Sequence, residues 1–256
     1  MFEQALQDDL SLLALPLYLA AVLLEAWYAH RHHLNRYRLG DTLASLSMLV
    51  ASGIVELLPR LLALTAFVYL HEISPLRDVV GRQWWAWLLL FFLDDFTYYW
   101  FHRANHEVRL LWAGHVNHHS SQYLNFATAL RQGVGERLHK FLFWMWLPLL
   151  GFDPAMIITV ISLSRNHGGV LIVWDRLFGT FSEERDDDPV VYGLTTNIDS
   201  DNPWTVLSHE YRAIWRDLQQ ARNWDERLRT LFLAPGWSAR GPDKRAAVLR
   251  EQAGMH

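Results

Sequence analysis

Residues 84–119 read WWAWLLLFFLDDFTYYWFHRANHEVRLLWAGHVNHH, and their pattern decides the fold class. The first 18 of them, 84–101, are almost wholly apolar, with tryptophans clustered at one end and Tyr98, Tyr99 and Trp100 at the other. That is the signature of a helix whose two ends meet membrane–water interfaces. Directly beyond it lie five of the 13 histidines: His102, His106, His115, His118 and His119. On a helix His102 and His106 stack at i and i+4, while His115, His118 and His119 fall at i, i+3 and i+4, so each group shares a face. Two such faces can enclose a metal with imidazole alone, and neutral imidazole suits zinc, copper, iron and nickel. A polar interfacial loop with unrelated histidines is a poor alternative for so dense a pattern.

Working outward, three more apolar runs occupy residues 11–29, 42–70 and 141–163. Each is long enough for a bilayer-spanning helix, and core helices of a soluble protein are the weaker reading. Pro59 is expected to bend or break the second run, and Glu56 and Arg60, four apart, to neutralise each other. The third run, interrupted by Pro148, Gly151 and Pro154, reads as one span or as a re-entrant hairpin bent at Gly151 and Pro154. Charge is segregated: residues 182–256 hold 23 of the 50 Asp, Glu, Lys and Arg residues of the 256-residue chain. The acidic start, MFEQALQDDL, fits a cleaved signal peptide poorly. Basic residues follow the first run (Arg31, Arg36, Arg38) and the 84–101 run (Arg103, Arg109), which places both flanks in the cytoplasm. The HRHH of residues 30–33 reads as a juxtamembrane basic patch. The expected fold is all-α: a multi-pass helical membrane protein with a cytoplasmic histidine-rich cap and a soluble helical C-terminal segment. It divides into N-terminal transmembrane helices (1–83), a histidine-box domain (84–181) and a cytoplasmic helical segment (182–256).

The absence of cysteine excludes a disulfide framework, thiolate-bound zinc, iron–sulfur clusters and a cysteine nucleophile. A net charge of −4 argues against nucleic acid as a partner. Asp95, Tyr98 or Tyr99, His102 and His106 share one helical stripe. An ionisable residue inside an apolar span needs a partner. Asp95 is therefore expected to hydrogen-bond a ligand imidazole and set its tautomer, with Tyr99 beside it.

The run DDFTYYWFHRANHEVRLLWAGHVNHHSSQYLNFATALRQG resembles the first half of the fatty acid hydroxylase and sterol desaturase superfamily, most closely its alkylglycerol monooxygenase branch. The segments NHGGVLIVWDRLFGTF, VVYGLT and APGW share that likeness. The resemblance implies a histidine-ligated di-iron centre on the cytoplasmic face of a multi-pass membrane fold. It further implies O2-dependent hydroxylation, desaturation or ether-bond oxidation of a lipid. Electrons would come from a reduced pterin or from an external electron-transfer partner. Position by position, His102 and His106 fall on the first histidine box and His115, His118 and His119 on the second. His167, in NHGG, falls on a later position near the centre. These six are the metal ligands the resemblance implies. Asp175 stays outside the site, and His71, His139, His209 and His256 match nothing and read as ordinary surface or interfacial histidines.

One departure stands out. The family pattern has a third box, another H-x2-H-H, before the NHGG segment, whereas residues 120–166 contain only His139. The 23 apolar residues of 141–163 are also too few for the two crossings that would return NHGG to the cytoplasmic side. Both observations point to an internal shortening near 163–165. The expected function is a membrane-bound lipid oxygenase impaired by that loss; the alternative is a catalytically inactive relative that binds metal or partners. A transporter is disfavoured because the histidines cluster beyond a span, not at a midplane. In the C-terminal third, Trp204, Leu207, Tyr211, Ile214, Trp215 and Leu218 form one face of a helix expected to pack on the cap or the membrane surface.

Overall fold

The computed structural model describes residues 10–163, 170–181 and 191–252, and these form helices joined by turns, with no strand among the described residues. Three long helices come first: α1 (Leu10–Arg31), α2 (Leu39–Glu72) and α3 (Trp84–Glu107). The 34-residue α2 continues through Pro59, so the expected break is absent. A proline removes one intrahelical hydrogen bond and crowds the preceding turn. Packing and ion pairs along the rest of the helix outweigh that local loss.

The burial pattern of α2 inverts that of a soluble protein. Asp41, Ser45, Ser52 and Glu56 face inward with Met48, Ala63 and Phe67, while Val50, Ile54, Leu57, Leu58, Leu61 and Leu62 face out. α1 exposes Leu17, Leu23, Leu24 and Trp27, and α3 exposes Trp84, Leu88, Leu89 and Phe92. An apolar surface this extensive is unfavourable in water and neutral in hydrocarbon. Among the described residues, α2 is the one helix long and apolar enough to cross a membrane.

The inward polar groups of α2 have partners on a distant segment. Arg131 Nη2 lies 2.7 Å from Asp41 Oδ1, and Arg137 Nη1 lies 3.2 Å from Glu56 Oε2. Glu56 thus reaches across to Arg137, a contact its spacing from Arg60 does not reveal. Farther along, Ser74 Oγ donates to the Leu149 carbonyl at 2.8 Å. Residues 131–149 therefore run beside α2 for most of its length, as two 3-10 helices (Gly135–Leu138 and Lys140–Trp144) and a short α-turn, which we call α6 (Trp146–Leu149). At Gly151, where φ is +88°, the chain turns back against the Leu76 carbonyl, leaving no room for a Cβ. The next helix, α7 (Pro154–Leu163), packs against α1, α2 and α3 and buries Met156, Ile157, Val160 and Ile161. The 141–163 run is thus a bent hairpin and not one straight helix.

Between α3 and this hairpin lie α4 (Arg109–His115) and α5 (Phe126–Ala129). The later helices are α8 (Val173–Phe178), α9 (Pro203–Gln220), α10 (Trp224–Phe232) and α11 (Ala246–Gln252). Asn202 caps α9 by accepting from the Trp204 and Thr205 amides, with Pro203 in the first turn, and Asn223 caps α10 through the Glu226 amide. Arg109 ties this C-terminal pair to α4: its Nε donates to Glu210 at 2.8 Å and its Nη1 to Asp217 at 2.6 Å.

Candidate metal centre

The site forms where the ends of α3 and α4 meet. α3 stays helical through His106, so His102 and His106 stack in parallel, ring centroids 4.7 Å apart at 9°. α4 ends at His115, and the chain tightens into a turn in which the His118 amide reaches the His115 carbonyl and the His119 amide reaches the Val116 carbonyl. The turn returns His119 to His115, their Nε2 atoms 3.0 Å apart. One ring nitrogen from each of His102, His106, His115 and His119 lies within 4.8 Å of the others. His118 sits at the edge of this group, its Nδ1 2.7 Å from the Arg131 carbonyl. Trp112 covers it, its ring tilted 26° to His119 at 5.7 Å.

Two glycines allow the close approach beneath the cluster. A Cβ on Gly114 would stand 2.7 Å from the Glu136 amide nitrogen, and one on Gly135 would stand 2.6 Å from the Gly114 Cα. With neither present, backbone meets backbone, and Glu136 Oε2 comes 2.5 Å from His115 Nδ1. Nδ1–H donation to the carboxylate fixes the tautomer that leaves Nε2 free to bind metal. The Arg131 carbonyl does the same for His118.

Burial sets the protonation state. It pushes His106 down to about 4, with His115 and His118 adding to the effect. It also holds His115 and His119 well below the ordinary histidine range, again with neighbouring imidazoles contributing. These rings are therefore neutral at neutral pH, the form that binds metal.

Residues 87–165 match the family model described as Fatty acid hydroxylase. This segment, which holds both histidine boxes, belongs to the fatty acid hydroxylase family. The chain is 32% identical to the alkylglycerol monooxygenase of Homo sapiens over 256 aligned positions, covering 84% of this chain and 56% of that protein. For the alkylglycerol monooxygenase of Danio rerio the identity is 30% over 245 positions, covering 80% and 54%. The fatty acid hydroxylase vlmA of Lecanicillium sp is 26% identical over 177 positions, covering 46% and 48%. The chain thus spans about half the length of the curated relatives it matches. No solved structure matches it.

The fatty acid hydroxylase family is in general iron-dependent, and the donor set here suits that metal. Four imidazole nitrogens converge closely enough to share one ion, and three of the five box histidines, His102, His115 and His118, have their Nδ1 atoms held by a hydrogen bond. His167 lies outside the described residues.

The partners expected from the stripe on α3 are placed differently. Asp95 is 4% exposed, and among the described residues it reaches no imidazole. It accepts instead from the Val170 amide, the Leu171 amide at 3.2 Å and Trp174 Nε1 at 2.7 Å, anchoring the start of α8. Its neighbour Asp94 accepts from Trp144 Nε1 at 2.7 Å. Tyr99 also turns toward α8, with its hydroxyl 3.1 Å from Thr180 Oγ1 and its ring stacked on Phe178. Tyr98, four residues before His102 and so on its face, places its hydroxyl 3.4 Å from His102 Nδ1. His139, read as a surface histidine, is half-buried, with Nε2 2.9 Å from Asn105 Oδ1.

Sequence reasoning missed Glu136, Arg131 and Asp41. Arg131 joins Asp41, Ser45 and Ser120 through its guanidinium and His118 through its carbonyl, so it links the entry of α2 to the second histidine box. The one local signal was the paired glycines of GVGE, which mark a close backbone approach without naming what approaches.

Proposed function

We propose that this chain is a membrane-bound non-haem iron oxidoreductase of the hydroxylase or monooxygenase type, acting on a lipid with O2. The observation that carries the reading is the convergence of four imidazoles, one buried and three half-buried, at the ends of α3 and α4, in a chain similar to proteins named alkylglycerol monooxygenase. His102, His106, His115, His118, His119 and His167 are the proposed ligands of a di-iron centre. Bound iron would supply O2 activation and oxygen transfer to the lipid, with electrons from a reduced pterin or another external donor. The protein's part is positional: Glu136 and the Arg131 carbonyl orient His115 and His118, and Trp112 shields the cluster from water. The outward apolar faces of α1, α2 and α3 support a multi-pass membrane arrangement, and the arginines beyond residue 102 support a cytoplasmic histidine cluster.

A second reading, an impaired or inactive relative, is favoured by a specific observation. The match to the human enzyme runs over 256 positions yet takes up 84% of this 256-residue chain, so about 40 aligned positions have no counterpart here. The match to the Danio rerio enzyme leaves a similar shortfall. A gap of that size accommodates the third histidine box and the helix leading to it, consistent with a shortening near 163–165. The expected outcome for the purified chain is iron below two per molecule and little lipid turnover. His106→Ala and His118→Ala should lower that iron further, and His209→Ala should not. Inserting a third-box segment from a relative between Leu163 and Arg165 should raise iron content and create activity. Two irons and O2-dependent lipid oxidation in the unaltered chain would reject the impairment. Equal iron in all three variants would reject the histidine centre.

A further inference from the structure

We propose that α9 and α10 lie in the plane of a membrane surface rich in anionic lipid, with their exposed aromatic side chains seated at the headgroup level. This rests on the reading that the chain spans a membrane. The inner face of α9 is used within the protein: Val206 packs with Met48 and Val134, and Ile214 is buried. Its outer face carries Trp204, 73% exposed, and Trp215, 63% exposed, on the same stripe. On α10, Trp224, Leu228 and Phe232 recur every four residues and are 74%, 52% and 56% exposed. Single exposed apolar residues need no explanation, but aligned stripes of large ones on two adjoining helices mark an interaction surface.

Composition and charge identify the partner. Tryptophan has an apolar body and a polar N–H, and it concentrates at membrane interfaces. The acidic groups of these helices are each paired with an arginine of the chain: Glu210 and Asp217 with the buried Arg109, and, at the surface, Asp225 with Arg229 and Glu226 with Arg240. Arg212, Arg216 and Arg227 remain exposed beside the aromatic stripes, Arg227 lying 5.0 Å over the Trp224 ring. An amphipathic helix with aromatic residues on one side and arginine on its flank binds anionic lipid in the interface plane. Position agrees. Val206 docks on Met48, next to Val50 and Ile54, where the outward apolar face of α2 is already established. The first turn of α9 therefore lies against the N-terminal half of α2, the helix whose outward face is assigned to lipid.

The native chain contains no cysteine, so single cysteines report cleanly. Trp215→Cys and Phe232→Cys would carry a bimane fluorophore, with Leu58→Cys as the span control and Ala247→Cys on α11 as the solvent control. Each would be reconstituted in phosphatidylcholine vesicles with or without phosphatidylserine and challenged with doxyl lipids labelled near the headgroup, for 215, 232 and 247, or deep in the acyl chain, for 58. Quenching at 215 and 232 should exceed that at 247 by about twofold or more, and should fall when phosphatidylserine is omitted or in Arg212→Gln/Arg216→Gln. Quenching at 58 with none at 215 and 232 would overturn the proposal and leave the spanning reading intact. No quenching at 58 would remove the spanning reading and this proposal with it. Aqueous iodide reaching 215 and 232 as readily as 247 would also overturn it and mark a protein-facing surface.

Discussion

Glu136 Oε2 stands 2.5 Å from His115 Nδ1, joining two buried residues 21 positions apart in the chain. A carboxylate behind a ligand imidazole raises its basicity and fixes its orientation, and losing one typically costs 10–100-fold in metal affinity. Glu136→Ala should therefore weaken metal binding by about one to two orders of magnitude, with Glu136→Gln intermediate because its amide oxygen still accepts. Titration of the metal-stripped protein with Co(II), followed by its visible absorption, measures both. An unchanged affinity in Glu136→Ala would show that the carboxylate does not position His115.

Gly114 should tolerate no side chain, for a reason tied to the same pair. Its Cβ would press on backbone atoms of Gly135 and Glu136 at 2.7 Å, which cannot rotate away as a side-chain tip can. Gly114→Ala should separate α4 from the 135–138 turn and reproduce the metal-binding loss of Glu136→Ala while leaving all five box histidines in the sequence. Gly53→Ala, where an added Cβ meets nothing within 4 Å, is the control and should bind metal normally. Comparable metal affinity in the two glycine variants would rule out the close approach as a requirement.

Asp41 at the start of α2 neutralises Arg131, whose side chain is 3% exposed. Asp41→Ala would leave that guanidinium buried without its charge partner and remove one of the two acceptors for the Ser121 hydroxyl. Removing one member of a buried pair costs about 3–5 kcal/mol. The variant should unfold at a clearly lower temperature in detergent, and its His118 should lose its fixed orientation because Arg131 also supplies the carbonyl that holds Nδ1. Differential scanning fluorimetry reads the first effect, and metal titration reads the second.

Asp95 on α3 holds two backbone amides and one indole at the beginning of α8. Hydrogen bonds to a charged acceptor contribute about 1.5–3 kcal/mol each. In Asp95→Ala, amide exchange at residues 170–174 should accelerate by about tenfold or more as that segment opens locally. Exchange at the α2 amides of residues 56–67 should stay as it was. Equal protection at 170–174 in both proteins would mean that the neighbouring aromatic packing of Phe96 on Trp174 and Phe178 suffices.

Short-range periodicity determined a great deal by itself. The apolar runs marked where long helices lie, and a spacing of four put His102 with His106, because a helix turns once every 3.6 residues. The same spacing predicts a shared helix for His115 and His119, but they meet through a turn beyond the end of α4. The glycine and prolines after residue 147 marked the bend of the 141–163 hairpin. Contacts across distant segments were decided only by tertiary packing. Asp95 shares a helical stripe with His102 yet reaches the start of α8, because a carboxylate takes whichever donors packing brings closest, and the exposed amides ahead of a new helix are strong ones. Glu136, Arg131 and Asp41 carry no periodic signal, and their pairing depends on residues 131–149 running along α2. Local sequence sets which way a side chain points along its own element. Which element lies opposite it follows from how the whole chain fills space.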